Sequence, residues 1–356
     1  MRFWAASISC LAKWTDEVQA TVDLLRLLWI LLPELLPYPV YQIGRLAIAF
    51  VAIMVFITVL VLFMVWFERK VVGHIQVRIG PLHTGGWHGW AQTIADALKL
   101  FLKEDIIPRG VDRPVYILAP LVVFVTTVVV YVVIPFSQNL VARDINMGIL
   151  FVFAVSSIAT IGIFMGGWGS NNKYSLLGAM RVAAQIVSYE VPLLLSVLGV
   201  FMLAQTLSLK GIVEAQQGLW YVVLQPLGFF IYVTAGIAEV NRLPFDIPEA
   251  ESELVAGFHT EYSGLRFAFF FLAEYANMFV MGALATVLFL GGWHGPFLPG
   301  FVWFILKASL FMFLMIWLRG TYPRLRVDQM MSFCWKVLLP LAFLNLLVTG
   351  LVMSFV

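Results

Sequence analysis

At 62% hydrophobic and 12% charged residues over 356 positions, the chain lies far from the soluble average of roughly 45–50% apolar and 25% charged, which excludes an ordinary water-soluble domain and implies a polytopic membrane protein. A net charge of +2, with the bases scattered among apolar stretches, leaves no concentrated basic surface of the kind that nucleic acid requires. Cys10 and Cys334 are the only cysteines, so a four-thiolate iron–sulfur cluster or thiolate zinc site built by this chain alone is excluded; His83 and His88 share a Gly-rich loop at no recognised ligand spacing, and no metal site is expected.

Residues 1 to 42 hold no uninterrupted apolar run near the roughly 20 residues that cross a bilayer. Leu24 to Leu36 is apolar except for Arg26, Pro33 and Glu34, which suits a short interfacial helix. The segment is read as an N-terminal extension, 1–42, ahead of a single membrane domain, 43–356. In that domain eight segments have spanning length and composition, about 46–67, 115–136, 147–169, 182–209, 219–238, 267–290, 301–318 and 337–356. The expected fold class is an all-α membrane protein of eight transmembrane helices with an amphipathic surface helix in the first cytoplasmic loop.

Basic residues set the orientation. Arg69, Lys70, Arg78, Lys99, Lys103, Arg109 and Arg113 follow span one, and Lys173, Arg181, Arg242, Arg266, Arg319, Arg324, Arg326 and Lys336 follow spans three, five and seven. Only Arg143 and Lys210 fall in the loops between the others. The excess of bases places the odd loops in the cytoplasm and both termini outside.

In the long first loop, Glu68-Arg69-Lys70 caps span one, Gln76, Arg78, Gly80 and Pro81 follow in a turn-rich stretch, and Trp90, Ile94, Leu98, Phe101 and Leu102 fall on one helical face away from Gln92, Asp96, Lys99 and Lys103. Such a helix lies along the membrane surface. Charges inside spans say more, because an ionised carboxylate in hydrocarbon costs several kcal/mol and marks ion or proton routes. Glu190 in span four and Glu274 in span six are of this kind, and Pro192 loosens the helix beside Glu190. Glu239 ends span five with Arg242 one turn later, where an i, i+3 pair can form. Lys307 in span seven is expected to snorkel to the nearer interface.

The stretch 239–261 carries six of the chain's 20 acids, Glu239, Asp246, Glu249, Glu251, Glu253 and Glu261, beside one base, Arg242. Carboxylates within about 4–6 Å of one another disfavour each other's ionisation, so the stretch reads as a proton-storing cluster. Glu249 and Glu253 would share a helix face after an entry set by Pro244 and Pro248. The arginines of the last loop, Arg319, Arg324 and Arg326, are placed to offset these charges.

Five motifs in order resemble one family. Glu68-Arg69-Lys70 with Gln76, Arg78, Gly80 and Pro81 and then Ala95 to Leu100 with Lys103-Glu104 form the first; Ala184 to Glu190, Ala238 to Tyr262, Ala273-Glu274-Tyr275, and Tyr322-Pro323-Arg324 with Arg326, Asp328 and Gln329 follow. From about residue 44 onward the chain is similar to the H subunit of proton-translocating NADH:quinone oxidoreductase, respiratory complex I. The resemblance implies a subunit that anchors the hydrophilic arm, forms much of the quinone chamber and begins a buried charged path in the bacterial inner membrane. Its partners would be the other membrane subunits, the hydrophilic subunits with the terminal iron–sulfur cluster, and quinone, either ubiquinone or menaquinone, as substrate. It further implies that Arg69, Arg78, Asp96, Asp246, Glu249, Glu251, Glu253 and Arg324 border the quinone, and that Glu190, Glu239, Glu261 and Glu274 form the proton path. The chain would carry no redox centre, so catalysis would belong to the complex. The competing readings are the equivalent subunit of a membrane-bound nickel–iron hydrogenase and a stand-alone proton or cation transporter; both use buried acids, but the first lacks need of the first-loop motif and the second is disfavoured by the absence of an obvious inverted repeat.

Overall fold

The computed structural model describes residues 38–247 and 251–355. The interfacial helix expected at 24–36, and Glu249, lie outside the described residues. The chain divides into two compact units at Val55. The described part of the first is the opening stretch of helix α1 (Tyr38–Ile75), where Ile43, Leu46, Ile48, Phe50 and Val51 are exposed. Exposed apolar side chains on a helix are what a lipid solvent requires.

The second unit begins within α1 at Phe56 and is all helical. A short helix, α2 (Gln92–Leu102), interrupts the first loop, then α3 (Arg113–Val130), α4 (Gly148–Gly169) and α5 (Lys173–Ala204) run in succession. Short pieces α6 (Leu209–Ala215) and α7 (Tyr221–Leu224) lead into α8 (Pro226–Glu239). After a four-residue turn of helix, α9 (Glu251–Leu254), and a 3-10 turn at Gly257–His259 come α10 (Gly264–Phe289), α11 (Gly300–Thr321), α12 (Val327–Phe333), a π turn at Cys334–Leu338 and α13 (Leu339–Phe355). Among the described residues seven helices are long and apolar enough to cross a membrane, and α8 is apolar but short.

Helix α10 is the axis of this unit, since every residue from Met278 to Phe289 is buried. Tyr131 donates to its Ala276 carbonyl at 2.8 Å, and Tyr232 of α8 donates to its Met281 carbonyl at 3.2 Å. Beside it, α3 and α4 pack closely through small residues: a side chain at Gly162 would meet Val123. Lipid offers no hydrophobic drive for such pairing, so close van der Waals contact supplies it. Lys307 of α11 is buried, and its ammonium donates to the carbonyls of Leu290 (2.6 Å), Gly292 (3.1 Å) and His294 (2.8 Å). These lie just past the end of α10, where carbonyls are free and the helix dipole is negative. The Lys307 ammonium is thereby matched by backbone oxygens beyond the end of the neighbouring helix.

Prolines explain four departures from regular helix. Pro120 in α3 frees the carbonyl of Tyr116, and the Tyr262 hydroxyl donates to it at 3.0 Å. Pro192 in α5 frees that of Ser188, and the Cys334 thiol donates to it at 3.1 Å. Helix α5 runs from Lys173 to Ala204 through Pro192, one backbone bond short at this point. Pro340 removes the amide that would bond Lys336, immediately after the π turn. The fifth apolar segment is not one continuous helix: Gln225, which precedes Pro226, is held out of the α region at φ −131°, ψ 61°. The remaining 14 residues of α8 rise only about 21 Å, less than the roughly 30 Å hydrocarbon core.

The 3-10 turn docks on α5, where Ser175 donates to the Phe258 carbonyl at 2.8 Å and a side chain at Gly178 would stand 2.8 Å from the Phe258 amide nitrogen. Gly178→Val is expected to lift the turn from α5 at a cost of about 1–3 kcal/mol, read as a lower melting temperature of the solubilised protein, with Gly178→Ala losing less. Equal melting of both variants and the parent would show that the turn does not need this contact.

Candidate functional site

The site starts from a carboxylate that the chain cannot leave unpaired. Helix α1 continues to Ile75, past the end expected at about 67, so Glu68 lies roughly two turns inside it and is 6% exposed. Arg319, near the end of α11, bonds its Oε1, and Arg242 approaches the same oxygen at 3.4 Å. The Tyr275 hydroxyl of α10 donates to its Oε2 at 2.7 Å. Arg242 is itself shared, with Nε 2.9 Å from Glu274 Oε1 as an ion pair and its guanidinium 4.4 Å from the Tyr275 ring centre. Burial alone would favour loss of the Arg242 proton, but Glu274, Tyr275 and Glu68 more than offset it and hold the group charged, its pKa above the usual guanidinium value.

This pairing corrects the local expectation for Arg242. Helix α8 stops at Glu239, and Asn241 takes the left-handed conformation at φ 56°. The turn points Arg242 toward α1 and α10, and the i, i+3 pair with Glu239 does not form because the helix needed for it has ended.

Glu239 instead faces a cavity of about 100 Å³ among α3, α4, α5, α8 and α10, enough for several waters. Thr126, Thr127, Ser156, Thr160, Asn241, His259, Glu274 and Asn277 share its wall, with Phe258, Phe267, Phe270 and Phe271 closing it. Glu239 Oε2 is buried with no hydrogen-bond partner. Glu190 lies behind the wall, where the Ser157 hydroxyl donates to it, near enough for its charge to act on Glu239. Burial keeps the His259 imidazole below its ordinary 6.5, although Glu274 and Asp246 pull the other way. The arrangement puts two carboxylates and an imidazole on the wall of one cavity inside an apolar bundle. That donor set can exchange protons with enclosed water.

The other described acids of the 239–261 stretch, Asp246, Glu253 and Glu261, do not line the cavity. Asp246 pairs with Arg324 at 3.1 Å, and burial raises its carboxyl above the usual range against the pull of Arg324. Glu253 is exposed and bonds Arg181 at 2.7 Å, which holds it below the usual range. Glu261 accepts from Asn172 at 2.6 Å, while its carbonyl accepts from Tyr116 at 2.7 Å. The Glu251 side chain lies outside the described residues. In the first loop Arg69 and Asp96 are 2.5 Å apart, with Gln92 donating to Asp96 at 3.3 Å, and Arg78 donates to Gln76 at 2.7 Å. Of the last-loop arginines, Arg319 and Arg324 meet carboxylates, Glu68 and Asp246.

Sequence reasoning missed Glu68, Tyr275, Arg319 and His259 as parts of one site. The one available signal for Glu68 was the apolar pair Val71-Val72 after it, which extends the helix beyond the basic residues.

Residues 48–350 match the family model described as NADH dehydrogenase. The chain is 58% identical over 289 residues to the NADH-quinone oxidoreductase H subunit of Anoxybacillus flavithermus, an alignment covering 80% of this chain and 87% of the relative. Over the same shares it is 55% identical to the corresponding protein of Geobacillus kaustophilus and 56% to that of Bacillus thuringiensis.

Glu68→Gln is expected to leave two guanidinium groups facing a neutral amide. Breaking one side of a buried pair costs about 3–5 kcal/mol, seen as a large drop in melting temperature that Glu68→Asp partly restores; a Gln variant as stable as the parent would remove Glu68 from this role. The His259 pKa is lowered on folding, so its contribution is fully present above 6.5 and is lost as pH falls from there toward the folded value. Between pH 7.5 and pH 5.5 the melting temperature should therefore fall further in the parent than in His259→Gln, and parallel losses would contradict the assignment.

Proposed function

We propose that this chain, which belongs to the NADH dehydrogenase family, is the membrane subunit of a proton-translocating NADH:quinone oxidoreductase that forms much of the quinone chamber and couples quinone reduction to proton movement. The observation that carries the reading is the cavity whose wall bears Glu239, Glu274 and His259, joined through Arg242 to the buried Glu68. Counting the broken fifth segment as a crossing gives eight spans, with α2 lying on the membrane surface, its Leu98, Phe101 and Leu102 side chains exposed. The protein would sit in the bacterial inner membrane with both termini outside.

On the quinone side, Arg69, Arg78, Asp96, Asp246, Glu249, Glu251, Glu253 and Arg324 border the headgroup, and a hydrophilic partner beside them supplies electrons from its iron–sulfur cluster. Reduction draws protons to the quinone oxygens. On the proton side, Glu190, Glu239, Glu261 and Glu274 respond to that charge. Arg242 is the natural link, because one guanidinium serves both Glu68 and Glu274; a change of charge near Glu68 alters how strongly it holds Glu274. The aromatic wall keeps the local dielectric low, so such a change is felt over a longer distance than in water.

Glu190→Gln and Glu239→Gln are each expected to lower proton translocation severalfold in the assembled complex, while NADH oxidation with an artificial acceptor stays intact. Unaltered pumping in both would count heavily against the scheme. Hydrogen evolution that needs no quinone would instead assign the chain to a hydrogenase assembly.

A further inference from the structure

The break in the fifth segment leaves polar groups that have no part in the proton chamber. Gln225 sits at the break and is 3% exposed; Asn345 of α13 is 6% exposed and Thr349, one turn on, 8%. The Thr349 hydroxyl gives its proton to the Asn345 carbonyl at 2.7 Å. It can therefore only accept from Gln225, whose Nε2 lies 3.0 Å away. This fixes the orientation of the Gln225 amide and turns Oε1 to the other side, where it has no hydrogen-bond partner. Asn345 Nδ2 likewise has none.

These two orphans are an acceptor and a donor on one spot. A side chain at Gly228, in the first turn of α8, would stand 3.1 Å from both Gln225 Oε1 and Asn345 Nδ2. One at Gly199 of α5 would stand 2.8 Å from the first and 3.2 Å from the second. Two glycines from facing helices therefore let the amides lie closer to both backbones than a Cβ would permit. The same spot adjoins the N-terminus of α8, whose first amides, at Leu227 and Gly228, precede the helix's own ladder of bonds.

We propose that the break in the fifth segment is a built site for an ordered water molecule, which donates to Gln225 Oε1 and accepts from Asn345 Nδ2 beside the first turn of α8. A water satisfies one acceptor and one donor at once, which a cation or an anion does not; the groups that meet here are amides and a hydroxyl, with no carboxylate or ammonium among them to hold an ion. Buried polar groups in hydrocarbon must find partners, so the water satisfies the two side-chain amide atoms left unpaired beside the break.

The test is a cryo-EM map of the assembled complex that resolves bound waters, recorded in sodium chloride and again with potassium gluconate. A peak within hydrogen-bond distance of Gln225 Oε1 and Asn345 Nδ2 in both salts is the expected result, together with its loss in Gly228→Ala. A direct amide-to-amide bond with no peak would overturn the proposal. So would a peak that disappears when sodium and chloride are replaced, which would make the occupant an ion, or one that survives unchanged in Gly228→Ala.

Discussion

A carboxylate sealed among helices must keep its counter-charges, and Glu68 is where this chain meets that constraint. The desolvation of an ion in a low-dielectric interior costs several kcal/mol even after relaxation, so Glu68 requires Arg319, Arg242 and Tyr275 together. Those residues come from α11, from the turn after α8 and from α10. Meeting one electrostatic demand therefore fixes the mutual placement of four parts of the second unit, and the ring of Tyr275 adds a face for the Arg242 guanidinium. The rest of the site depends on Arg242 being drawn this way, because it is the turn at Asn241 that leaves Glu239 facing the cavity without it.

The acidic stretch shows how charge is distributed once helices assemble. Read along the chain, its carboxylates suggest a single repelling cluster. In space Asp246 goes to Arg324, Glu253 to Arg181 and Glu261 to Asn172, each on a different element. Among the described acids of the stretch, Glu239 is the one that lines the cavity. The cavity wall thus takes Glu239 and His259 from this stretch and Glu274 from α10.

How much of this is legible in the sequence depends on whether a property is local. Apolar spans are, because lipid demands them residue by residue, and Glu190, Glu239 and Glu274 stand out as charges against that background. Their ends are less so: α5 starts at Lys173 rather than near 182 because basic side chains at a helix end reach outward while their backbone stays helical. The fifth segment carries its own warning in Gln225-Pro226, but its composition is as apolar as that of a continuous span. Glu68 reads as a rim residue because Arg69 and Lys70 follow it; its partners Arg242, Tyr275 and Arg319 lie more than 170 positions away, and no short pattern joins them. His259 is part of the chamber only because the 3-10 turn folds back on α5.

A helix that surrenders one of its own carbonyls leaves an address on its surface. At Pro120 the address is answered by Tyr262 and at Pro192 by Cys334, so two imino acids on different helices specify which segments settle against them and in what vertical register. Moving either the tyrosine or the cysteine along the chain by a single position would misdeliver the donor. The dependence runs both ways: without those donors, two carbonyls inside α3 and α5 would stand unmet among apolar side chains.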